Sequence, residues 1–140
     1  MILVFFLLVA GCTQQGASPT NPSSTAAPST LSTPGPTQTL PSYWSVEVQV
    51  SSNGKAIDPQ IVMTFRGGDG MNLVPEIDMQ VTRTDGVVET GKLTQPIDIG
   101  DTVTLPGTTG NYDRAEVWAV TPQGDRVKII DQYVPFRSYH

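Results

Sequence analysis

The chain has 140 residues, with 13 acidic and 8 basic side chains for a net charge of −5, and a single cysteine. That balance argues against the phosphate-neutralising chemistry of nucleic-acid binding and against the polybasic route to a membrane surface. One thiol excludes an intramolecular disulfide as well as thiolate zinc and iron–sulfur sites, so a folded domain must stand on its core alone.

Residues Ile2 to Ala10 form an unbroken apolar run of nine. That is the length of a signal-peptide core and roughly half of the ~20 residues a spanning helix needs. The small pair Ala10-Gly11 then suits a signal peptidase, so residues 1–11 read as a signal peptide. Met1 is followed directly by Ile2, so the usual positive flank is lacking; the start lies further upstream or the export signal is atypical. Leu8-Val9-Ala10-Gly11-Cys12 resembles the lipobox of secreted lipoproteins, with Val9 where leucine is more usual. The resemblance implies that Cys12 is lipidated and becomes the first mature residue, placing the protein outside the cytoplasm and lipid-anchored to the cell membrane. An ordinary cleaved signal and a membrane helix extended upstream are the competing readings. A stable lipid anchor takes two acyl chains, which a diacylglyceryl group supplies.

Thr13 to Ser42 is almost wholly Ser, Thr, Pro, Ala, Gly and Gln, and the first 42 residues carry no formal charge. With only Leu31 and Leu40 to bury, residues 12–42 are expected to be a disordered linker of about 30 Å r.m.s. span. The stretch reads as a plain spacer or as an O-glycosylated stalk. Asn21 precedes Pro22, which spoils it as an N-linked acceptor.

From Tyr43 to His140 the pattern turns to period two. Trp44, Val46, Val48 and Val50 alternate with polar residues, and Asn53-Gly54 supplies a turn. Ile61, Met63 and Phe65 mark a second strand, ended by Gly67-Gly68-Asp69-Gly70. Ile77, Met79 and Val81 mark a third, and Asp85-Gly86 leads into a fourth from Val87 to Leu93. Short pieces follow at Ile97 to Ile99 and Thr102 to Leu105, kept to edges by Pro96 and Pro106. Ala115 to Thr121 and Val127 to Val134 complete seven or eight short strands without a helical period. The expected fold is all-β, an immunoglobulin-like antiparallel sandwich.

Three segments carry a further resemblance: Ile61 to Gly68, Val103 to Gly110, and Val127 to Val134 with its Asp131-Gln132-Tyr133-Val134 ending. Their order resembles the extracytoplasmic β-sandwich domain of archaeal pilin-like secreted proteins and implies the same sandwich. Pilins keep a long hydrophobic N-terminal helix for filament assembly; this chain departs from them with nine apolar residues and then a cysteine.

Few residues suggest chemistry. His140 is the only histidine and the last residue, a poor place for a relay held to hydrogen-bond precision. Glu76 and Asp78 share one strand face, and Asp98 and Asp101 flank Gly100; either pair could serve glycosidase-like acid/base work only if one pKa were raised. Asp69, with Asp113 or Asp101, could ligate Ca²⁺, although the Asp-rich density of a calcium loop is missing and turn formation accounts for Asp69. Gly67 to Gly70 has no Lys-Ser/Thr of a phosphate loop. No catalytic residue, metal or cofactor is therefore expected. Trp118 is the candidate partner contact: with Ala115, Val117 and Ala119 inward it faces out, and in the opposite phase it is a core residue.

These features lead to an expected non-enzymatic, lipid-anchored surface protein that displays an interaction or envelope-structural module. The alternatives are an extracytoplasmic solute- or carbohydrate-binding accessory protein and a minor pilin-like filament component. The expected partners are the membrane, through Cys12, and an envelope protein or glycan.

Overall fold

A computed structural model of the chain describes residues 31–138. The expected signal peptide, Cys12, the first part of the expected linker and His140 lie outside the described residues. Alternation of apolar and polar side chains produces seven strands: β1 Glu47–Ser52, β2 Gln60–Gly67, β3 Glu76–Thr82, β4 Val88–Thr94, β5 Thr102–Pro106, β6 Tyr112–Val120 and β7 Arg126–Pro135. They form one sheet ordered β1-β2-β5 and a second ordered β4-β3-β6-β7. Every pairing is antiparallel. This is the antiparallel β-sandwich expected from the sequence, with the first, second and fifth strands on one sheet and the fourth beside the third on the other.

The inward residues are those the period-two pattern selects. Ile61, Met63 and Phe65 from β2, Ile77, Met79 and Val81 from β3, and Ala115, Val117 and Ala119 from β6 are all buried, joined by Val103 and Leu105 of β5 and Val134 of β7. Gly91 of β4 brings the two sheets close at one side: a Cβ there would lie 2.7 Å from the Val103 side chain.

Two strand expectations are corrected. Trp44 belongs to a single 3-10 turn, Ser42–Trp44, and β1 begins only at Glu47. Ile97 to Ile99 is not a strand but a connection; Ile97 plugs the core while Ile99 is exposed. Pro96 has no N–H for a ladder. The Gln95 side chain holds this connection instead, its Nε2 donating to the carbonyls of Met71 at 2.6 Å and Val74 at 2.9 Å.

The linker also differs from expectation in its last part. Residues 32–40 lie along β7. Gln38 N–H donates to the Lys128 carbonyl at 2.8 Å, and Leu40 is buried in the core. Its isobutyl group supplies the apolar area that the Ser/Thr/Pro stretch before it lacks. The segment covers the outer edge of β7, which would otherwise present unpaired backbone groups.

At the end of the sandwich where the 3-10 turn sits, backbone packs on backbone. A Cβ on Gly70 would stand 2.4 Å from the Trp44 carbonyl oxygen, and one on Gly68, at φ +124°, 2.3 Å from that of Ser45. Gly70 N–H donates to the Ser45 carbonyl at 2.9 Å. The glycine run therefore does more than end β2; it admits the chain leading into β1. Gly70→Ala is expected to lower stability by roughly 2–3 kcal/mol through this overpacking, read as a shift of the urea midpoint at unchanged slope.

Candidate functional site

Trp118 settles into the first of its two phases. Ala115, Val117 and Ala119 are fully buried, so Glu116 and Trp118 project from the outer face of the larger sheet. In register, Asp78 of β3 stands on one side of Trp118 and Lys128 of β7 on the other. The indole is half-buried rather than bare. The Arg126 guanidinium stacks 4.0 Å from the ring centroid, and Lys128 Nζ lies 5.3 Å away. Arg126 Nε also donates to Asp78 Oδ2 at 2.8 Å. Beside this stack, Glu76, Asp78, Thr90, Lys92 and Arg126 line an open depression of about 480 Å³.

Glu76 and Asp78 do share the outer face, as their spacing requires. Each carries a cation, Lys92 at 2.8 Å on Glu76 and Arg126 at 2.8 Å on Asp78. The hydrogen bond from Lys92, aided by one with Asp78, holds the Glu76 carboxyl below its usual range. A general acid needs the opposite shift. Asp98 and Asp101 form a local turn in which Asp101 Oδ2 accepts the Asp98 N–H at 2.9 Å.

The three aspartates considered for calcium are used separately. Asp69 is exposed in its glycine loop, Asp101 closes its own turn, and Asp113 is buried at the other end of the sandwich. Among the described residues no three His, Cys, Asp or Glu side chains converge as a metal site would require. Asp113 instead fastens two loops. Its carboxylate accepts the Thr84 N–H at 2.9 Å, the Thr108 N–H at 2.7 Å and the Thr108 hydroxyl at 2.7 Å, with a longer 3.3 Å contact from the Thr84 hydroxyl. The β3–β4 and β5–β6 connections are thereby tied through one buried anion. Removing it strands two backbone donors, so Asp113→Ala is expected to cost about 2–4 kcal/mol of folding stability, measured by denaturant titration.

A second cluster was not anticipated. Arg114 forks onto Asp131 with bonds of 2.8 and 2.7 Å, and also reaches Glu116 at 3.2 Å. Lys128 Nζ lies 2.6 Å from Glu116 and 3.1 Å from Asp131. The Asp131 side chain is fully covered. Part of the cover is the linker: Gly35 N–H donates to Asp131 at 2.8 Å, and the Ser32 hydroxyl accepts from Arg114 at 2.5 Å. Strict alternation would put Lys128 and Asp131, three residues apart, on opposite faces. A β-bulge brings them together, since Val117 pairs with Ile130 while Trp118 pairs with Lys128, leaving Ile129 extra. Bulges re-aim side chains in this way.

The hydrogen bond from Arg114 drives the Asp131 carboxyl far below the usual carboxylate range. Lys128 is raised, first by its bond to Glu116, and Arg114 is raised by its bond to Asp131. A depressed acid contributes stability that is complete above its unfolded value, about 4, and is lost as pH falls toward the folded value; a raised lysine contributes below about 10.4 and loses it above. Urea unfolding from pH 2.5 to 7 is expected to show stability falling below about pH 4. Asp131→Asn should flatten that limb.

Compared with known proteins, the chain matches no family model, and neither its sequence nor its fold finds a match among curated proteins or solved structures. Among the described residues no helix is long and apolar enough to cross a membrane.

Proposed function

We propose that this chain is a lipid-anchored, non-enzymatic surface protein that holds a β-sandwich outside the membrane as an interaction or envelope-structural module. The observation that carries this reading is the use of the buried carboxylates. Asp113 accepts from Thr84 and Thr108, while Asp131 and Glu116 accept from Arg114 and Lys128. The acids that burial would tune for chemistry are thus engaged in fastening loops, strands and the linker. Upstream, the apolar run ending in Ala10-Gly11-Cys12 and the uncharged stretch after it supply the anchor and tether. Confinement by a tether raises the effective concentration for a second contact without any new affinity.

A carbohydrate-binding accessory role is the second reading, favoured by Trp118 with Asp78 beside it and the depression between Glu76, Thr90, Lys92 and Arg126. An aromatic ring next to carboxylates and cations suits a sugar, which presents an apolar ring face and hydroxyl edges.

Intact mass of the native mature protein tests the anchor. A chain starting at Cys12 and carrying a diacylglyceryl group is expected, and an unmodified Cys12 still joined to Gly11 would remove it. Affinity capture from intact envelope, with the soluble sandwich as bait, separates the two readings: a specific protein partner supports the module. Retention on glycans that Trp118→Ala abolishes supports the second.

A further inference from the structure

We propose that residues 32–40 form a releasable latch that sets which end of the sandwich is held toward the anchorage. The segment traverses the full height of the domain. Ser32 lies beside Arg114 and Tyr133, at the end where the β3–β4 and β5–β6 connections are tied by Asp113. Gly35 meets Asp131, Gln38 meets Lys128, and the chain then turns through Ser42–Trp44 into β1 at the opposite end, against Gly70. While it is fastened, upstream chain departs from the Tyr133 end, and the glycine-loop end points away. Once it is released, the chain departs from Pro41 at the glycine-loop end. The tether then gains nine residues, about 30 Å of extended reach, and the domain presents its other end.

The fastenings are few. Gln38 supplies the one backbone bond to β7, Gly35 and Ser32 bond to charged side chains, and Leu40 is the one buried side chain of the segment. Pro34 and Pro36 have no N–H to extend a ladder. By contrast β6 and β7 pair from Tyr112 to Val120, interrupted only by the bulge at Ile129. A segment with few apolar contacts and few backbone bonds belongs to the low-stability end of a structure and opens without the rest. The inter-sheet core is drawn mainly from β2, β3, β5 and β6, and the segment adds Leu40 alone to it.

The latch does not rest on lipidation; only its consequence for presentation rests on the anchor reading, which the mass of Cys12 tests separately. Amide hydrogen exchange on the full chain tests the latch. Gly35 and Gln38 are expected to exchange through local opening at least tenfold faster than the slowest amides of β3 and β6. Asp131→Asn should speed them by about a further tenfold while β3 and β6 hold their rates. Gly35→Pro, which removes the donor to Asp131 and leaves the ion pairs of the sheet intact, should have the same effect at Gln38. Exchange of the Gln38 amide at the rate of the core in all three proteins would overturn the proposal. So would an equal acceleration of β3 and β6 in both variants. A nitroxide on Cys12 of the unlipidated full chain reads the direction: broadening should extend from residues 83–87 and 107–111 in the wild type toward 68–75 in Gly35→Pro. An unchanged pattern would overturn the change of presented end.

Discussion

The contact between the inner faces of the two sheets is the constraint on which the remaining structure depends. No disulfide can substitute for it, because the one cysteine stands at position 12. The face is assembled from medium and small side chains: Met63, Phe65, Ile77 and Met79 fill the centre, and Ala115 and Ala119 let β6 lie close. Gly91 plays the same part on β4, where any side chain would meet Val103 and Leu105. Close-packed interiors leave little freedom in sheet spacing. The polar devices, Asp113 and the Arg114–Asp131 cluster, act at the rim of that core and not within it.

Those devices divide by position. At one end Asp113 ties two connections through a buried carboxylate. At the other, Gly68 and Gly70 let two backbone segments touch. Along the side, the bidentate Arg114–Asp131 pair joins β6 to β7 and extends to the linker. A covered ion pair is weak evidence of net stability, since desolvation offsets much of the attraction. Its contribution here is geometric: the fork of Arg114 admits few arrangements, and Asp131 keeps one more acceptor direction for Gly35. Specific placement of the linker thus follows from a pair whose net energy is modest.

Much of the fold was legible because period-two alternation is a direct record of burial. Val48 and Val50 of β1, Ile61 to Phe65 of β2 and Ile77 to Val81 of β3 point where the pattern says. The misses share a cause, since each depends on contacts distant in sequence. The linker appeared featureless because its partners, Lys128 and Asp131, lie some ninety residues away. The Lys128–Asp131 cluster was hidden by a bulge that no composition signal announces. Ile97 to Ile99 carried strand-like residues, yet the deciding group was the side chain of Gln95 bonded to Met71 and Val74. The Trp118 site was half legible: both phases could be written down, but choosing between them required knowing that the small alanines face the opposite sheet.

The covering of Trp118 also constrains what the outer face can receive. Arg126 makes two contacts there at once, stacking on the indole and donating to Asp78. A purely apolar group taking its place would recover the stack and leave Asp78 without its donor, at the cost that an unpaired anion carries. A ligand offering a flat face together with a hydrogen-bond donor at its edge replaces both. The exposure of Arg126, whose side chain is 51% accessible, lets it swing aside into water with its charge still solvated. Covering this face with a bare hydrophobic surface therefore costs more than covering it with a polar ring or another cation.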